Sequence, residues 1–123
     1  MEQELYTLLA STLSPYKVYP SIVPLNAAYP CARFVLIYDD FEQTKDTALS
    51  GLARYQLDFY SRDTIGGNSA FNVARINGEA IKTALNGHSG TVIREIRVMN
   101  VEDDYQEETE AHIKRIEFNV YHT

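Results

Sequence analysis

Apolar residues near the start of the chain fall three or four apart, at Leu5, Leu8, Leu9 and Leu13, the spacing of one helical face. Glu2 and Glu4 suit the positive N-terminal end of such a helix, and Ser14-Pro15 stops it. Proline then punctuates the chain. It restricts its own φ and holds the preceding residue extended, so Tyr19-Pro20, Val23-Pro24 and Tyr29-Pro30 specify a stiff, non-helical connector. From Ala32 to Asp39 the period becomes two, with Phe34, Leu36 and Tyr38 on one face and Arg33, Val35 and Ile37 on the other, both at least partly covered. Asp39 to Asp46 reads as a polar turn or an extension of that strand. Leu52 to Ser61 alternates more cleanly: Ala53, Tyr55, Leu57 and Phe59 oppose Arg54, Gln56, Asp58 and Tyr60, as in a half-buried antiparallel strand.

The stretch Thr64–Ser69 breaks the pattern and supplies N-caps for a second helix running to about Asn86, with a stripe of Phe71, Ala74, Gly78, Ile81 and Leu85. Gly78 costs such a helix about 1 kcal/mol relative to alanine, which points to a close approach to the sheet. Asn86-Gly87 closes it. Two more strands follow, Thr91–Val101 with Val92, Ile96 and Val98 on one face, and Ala111–His122 with Ile116, Phe118 and Val120. The acidic segment between them reads as a long hairpin. Adjacent strands favour antiparallel pairing and two helices can cover one face, so the expected fold is an α+β two-layer sandwich: a mainly antiparallel sheet of four or five strands with both helices on one side.

At 123 residues the chain suits a single domain, and its 45% hydrophobic and 23% charged content is ordinary for a globular protein. The longest apolar run, Phe34 to Tyr38, is far short of the roughly 20 residues of a membrane span, and the N-terminus lacks the basic-then-apolar order of a secretory signal. The expectation is a cytosolic protein with no membrane contact. The net charge of −6 resides in one segment: Glu102 to Glu110 carries six acids and no base, leaving eleven acids against eleven bases elsewhere. Without a basic footprint, direct nucleic-acid binding is not expected.

Candidate chemistry is sparse. A single cysteine, Cys31, excludes an intrachain disulfide, and with His88, His112 and His122 it makes no zinc spacing. Gly66-Gly67-Asn68-Ser69 before a helix has the form of an anion cradle but lacks the lysine of a P-loop and the three glycines of a dinucleotide site. The acidic segment lacks the alternation and central glycine of a calcium loop. Asp39, Asp40 and Glu42 beside Lys45 read as a polar surface turn. His112 and His122 share a strand face but lie about 33 Å apart by strand rise. No Gly-x-Ser-x-Gly elbow is present. The expectation is a protein without catalytic residues, cofactor or metal.

One stretch, VYPSIVPLNAAYPCARFVLI from Val18, resembles the entry into the first long strand of the tail-completion or tail-terminator proteins of long-tailed bacteriophages and prophages. A YQLDFYSRD-type strand, a Gly-rich turn, a helix ending at Ala84-Leu85 and two terminal strands extend the resemblance over almost the whole chain. It implies a homo-oligomeric ring, commonly of six subunits, that sits on the last ring of the major tail tube protein. Such a ring ends tube growth and offers a docking surface to a head-side connector protein, while DNA passes through without specific binding. It also implies assembly in the host cytoplasm and residence in the virion tail, at its head-proximal end. Cys31 and the long acidic hairpin depart from the family pattern. Tyr19, Tyr29 and Tyr38 are candidate contact residues or anchors of their proline loop. Glu102, Asp103, Asp104, Glu107 and Glu108 are expected to project, lining the channel, meeting a partner, or forming a solvated turn. Another neck component, a head-completion or stopper protein, and a small ligand-binding α+β domain with a pocket between helix and sheet are the other readings.

Overall fold

The computed structural model describes residues 1–43, 49–62, 69–108 and 110–123. Helix α1 spans Glu2–Leu13 and α2 Ala70–Leu85; strands β1 to β5 span Lys17–Pro20, Cys31–Gln43, Leu49–Arg62, Ile93–Gln106 and Ala111–His122. They form one five-stranded sheet in the order β1-β2-β3-β5-β4. Only β1 and β2 pair in parallel; the other three pairs are antiparallel. The α+β two-layer sandwich expected from the sequence is the observed fold.

One sheet face and the two helices share a single core. Leu5, Leu9 and Leu13 of α1 and Ala74, Ile81 and Leu85 of α2 are buried in a cluster with Phe34, Tyr55, Leu57, Phe59, Ile96, Ile116 and Phe118. Tyr55 stacks on Phe118 with ring centroids 5.9 Å apart. Gly78 is buried, and the aliphatic stem of Lys114 lies where a side chain at that position would go, so α2 does approach the sheet closely there. Asn86 ends α2 and Gly87 follows with φ +83°, the left-handed conformation that suits glycine. At the far end of the core face the ring of His122 packs over Gly51.

Several local expectations are corrected. Lys17–Pro20 is a short edge strand, not an irregular connector, because its backbone finds Cys31–Phe34 as a parallel partner. The β2 register slips at Ile37, and this bulge turns Tyr38 to the face opposite Leu36, where it pairs with Arg54. Two further slips, at Arg94 and Met99, place Ile93, Ile96, Val98 and Val101 on the core face of β4, so Val92 is not part of that stripe. The acidic segment does not project as a long hairpin. Glu102–Gln106 are ladder residues of β4, paired with Ala111–Arg115, which β3 in turn pairs from the other side. Anchorage on β5 outweighs the mutual repulsion of the acids, and the described turn residues are Glu107, Glu108 and Glu110. The Gly66–Asn68 segment and Lys45 lie outside the described residues.

Candidate functional site

Opposite the helices, the sheet presents a polar face. Its register sets residues in rows across the strands, and one row crosses all five: Tyr19, Arg33, Asp58, Arg115 and Glu102, alternating in charge from Arg33 onward. Asp58, at its centre, is fully buried. Its carboxylate accepts from Arg115 Nε at 2.9 Å, Arg33 Nε at 3.1 Å and Gln56 Nε2 at 3.2 Å, and the Tyr60 hydroxyl lies at 3.5 Å. A charge withdrawn from water needs such saturation. Burial acts against the Arg115 guanidinium, but the bond and charge of Asp58, with Asp104 at 3.7 Å, outweigh it and raise its pKa. Burial, then the Asp58 charge, pushes the Tyr60 phenol up to about 12.

Neighbouring rows continue the network. Arg54 Nε donates to Asn119 Oδ1 and its Nη1 lies 3.4 Å from Glu117. Arg97 bonds Glu95 at 3.0 Å and lies over the ring of Tyr121. The β1–β2 connector reaches the face at one end: Arg33 Nη1 donates to Ser21 O at 3.3 Å, and Tyr29 lies between Tyr60, 6.3 Å away, and Arg62, whose guanidinium carbon is 4.1 Å from the ring centre. Positive and negative side chains interleave along the central row and between neighbouring rows, so the face has no single-sign field of the kind that grips a polyanion.

Most residues singled out from the sequence meet on this face. Tyr19 and Glu102 end the central row, Asp104 ends the next, Tyr29 packs on Tyr60, and Tyr38 opens the row of Arg54 and Asn119. Asp103 points to the helix side, bonded to Lys114 Nζ at 3.1 Å, and Glu107 and Glu108 lie in the turn. The hub Asp58–Arg33–Arg115 was not singled out: alternation assigns each residue to a polar face, but only register joins them.

The other candidates separate into local contacts. His122 Nε2 lies 2.8 Å from Asp39 Oδ1, whereas His112 packs edge-on to Phe71 and Tyr105. Asp39 and Asp40 fall on opposite faces and make no carboxylate pair. Cys31 is buried, and burial pushes its thiol up to about 11. An open groove of about 690 Å³ runs between α1 and residues 88–92, where Glu4 accepts from the N–H of Val92 at 3.0 Å and Ile93 at 3.4 Å. A smaller pocket of about 340 Å³ does lie between helix and sheet, lined by Glu2, Gln3 and Tyr6 of α1 and by Pro20 and Phe34. Among the described residues no group of three acids, histidines or cysteines is placed to hold a metal, and neither helix is long and apolar enough to cross a membrane.

No protein-family model and no curated protein sequence matches the chain. Among solved structures, a chain in the virion of a native gene transfer agent particle has the same fold, with a TM-score of 0.61 and 14% identity over 93% of this chain and 83% of that one.

Proposed function

We propose that this protein is a non-enzymatic structural component of a phage-type particle, specifically a tail terminator. Copies assemble as a ring, six in the usual form, on the last ring of the major tail tube protein; the ring ends tube growth and gives the head-side connector a surface to dock on. The observation that carries this reading is the fold shared along 93% of the chain with a protein of a virion. The tail-terminator resemblance of the Val18–Ile37 segment and the order of elements narrows it to the tail end. The open, charge-balanced sheet face suits a subunit that contacts protein on several sides and lets DNA pass without holding it. Assembly takes place in the host cytoplasm, and the finished protein resides at the head-proximal end of the tail.

Negative-stain microscopy of the purified protein with its cognate tube protein tests this. Tubes of limited length with one end capped are expected. Tubes that stay bare and keep lengthening overturn the tail-terminator role; if the protein instead joins heads or portals, it is a head-completion or stopper protein.

A further inference from the structure

The two halves of β4 differ at the sheet edge. Along the first half the segment after α2 fills it: Gly87 N–H donates to Ile96 O at 2.8 Å, Gly90 N–H to Ile93 O at 2.7 Å, Ile96 N–H to His88 O at 3.1 Å and Val98 N–H to Asn86 Oδ1 at 3.3 Å. The outward-facing groups are thus those of Ile96 and Val98, and the register slip at Met99 moves the alternation onto Val101, Asp103 and Tyr105. Tyr105 N–H is met by Asp104 Oδ1 at 2.8 Å. Among the described residues, no strand or side chain bonds the N–H and C=O groups of Val101 and Asp103 from outside.

Side chains decide what this open stretch can accept. On the polar side of the edge Asn100, Glu102 and Asp104 follow one another; on the helix side Val101, Asp103 and Tyr105 do. Val101 and Tyr105 are 38% and 48% exposed, and Phe71, 49% exposed, extends the apolar strip through His112, which both aromatic rings meet edge-on. Lys114 pairs with Asp103 at 3.1 Å, and Arg115, already bound to Asp58, lies 3.7 Å from Asp104. Against these two bases stand the six acids of Glu102–Glu110, so the stretch keeps a surplus of negative charge. An edge that only had to repel its neighbours would need the acids but not the apolar residues set among them.

We infer that the second half of β4 is a docking edge for an extended, basic segment of a different protein. That segment pairs with Val101 and Asp103 through its backbone, sets Lys or Arg side chains beside Glu102 and Asp104, and lays apolar ones between Val101 and Tyr105. Main-chain bonds give such strand addition its affinity, and the alternating side chains its selectivity. A second copy of this chain does not fit. Its β1 ends in Pro20, which has no N–H, and the bare part of its β2 carries Asp39 and Asp40, which the acids of β4 repel. Nor does nucleic acid, whose phosphates carry the same sign. The inference goes beyond the ring proposed above and does not depend on it.

A synthetic heptapeptide that alternates arginine and valine is the probe. Its controls are the same residues with the arginines grouped together, and the alternating peptide N-methylated at successive amides, which keeps its charge but blocks both of its edges. Fluorescence anisotropy at about 150 mM salt is expected to show the alternating peptide binding at least about tenfold more tightly than either control. Hydrogen exchange read by NMR should show the Val101 and Asp103 amide protons becoming protected as it binds. Glu102→Gln with Asp104→Asn weakens binding at least about tenfold, and Asp40→Asn, on the other edge, leaves it unchanged. Equal affinity for the alternating and N-methylated peptides reduces the contact to charge alone and overturns the inference. Absence of binding at about 1 mM peptide, or protection on β2 instead, does the same. Protection of Val101 and Asp103 that grows with protein concentration before any peptide is added would assign the edge to a second copy, which also overturns it. Tube capping is read separately, so none of these results bears on the tail-terminator role.

Discussion

Truncating Asp58 to alanine is expected to be the most damaging single change on the polar face. The carboxylate is 0% exposed and holds Arg115 at 2.9 Å, Arg33 at 3.1 Å and Gln56 at 3.2 Å. Without it two guanidinium groups face each other across the gap left by their shared counter-charge. Breaking a buried ion pair in this way costs about 3–5 kcal/mol. The Arg33 and Arg115 side chains are 33% and 25% exposed, so water compensates in part and the expected cost is about 3 kcal/mol. Arg33→Ala removes one charged bond but leaves the carboxylate with Arg115 and Gln56, for a smaller loss of about 1–2 kcal/mol. Asp58→Asn keeps the shape and one acceptor and falls between them. Urea unfolding followed by circular dichroism, at one protein concentration so that assembly does not alter the comparison, gives the three values if the slopes agree. A cost for Asp58→Ala under about 1 kcal/mol, or no larger than that for Arg33→Ala, would refute the assignment of Asp58 as the hub.

The Cys31 thiol, pushed up to about 11 from an ordinary 9.0, should react with iodoacetamide at pH 8 at least about a hundredfold more slowly than in the urea-unfolded chain; equal rates would show that it is accessible and ordinary. Tyr55 carries a buried hydroxyl without a hydrogen-bond partner among the described residues, so Tyr55→Phe should leave stability unchanged or raise it by about 1 kcal/mol, and a loss above about 1 kcal/mol in thermal unfolding would reveal a partner. The N–H groups of Val92, Ile93 and Thr91 hold the Glu4 carboxyl below its ordinary 4.5. Its contribution is therefore complete above that value and lost as pH falls through the lower folded one, so Glu4→Gln should flatten the acid limb of the stability curve below about pH 4.5 and leave its shape at pH 7 unchanged.

Elements whose pattern is local were legible in the sequence. Both helices fall where the Leu5–Leu13 and Phe71–Leu85 stripes put them, although Phe71 itself is half exposed, and the alternation of β3 assigns Tyr55, Leu57 and Phe59 to the core and Asp58 to the other face. The bulges at Ile37, Arg94 and Met99 were not legible, because an inserted residue carries no type of its own, yet each reverses the faces that follow. Nor was β1, whose four residues become a strand only through partners fourteen positions away. In β4, charge argued for a loop, but non-local pairing with β5 decided the outcome. The hub was hidden for the same reason: Arg33, Asp58 and Arg115 are unremarkable one by one and meet only through the register of three strands.

Strand order also controls when the sheet can be completed. β5 is the last strand of the chain, yet it lies between β3 and β4, so β4 has nothing to dock against until Ala111–His122 arrives. It also delivers Arg115 to Asp58 and His122 to Asp39. A polypeptide still on the ribosome, or one cut short before its final strand, can form the β1–β2–β3 part but lacks the finished second edge. Completion of the sheet is thereby reserved for chains that carry Ala111–His122, a form of proofreading by length that needs no separate inspector.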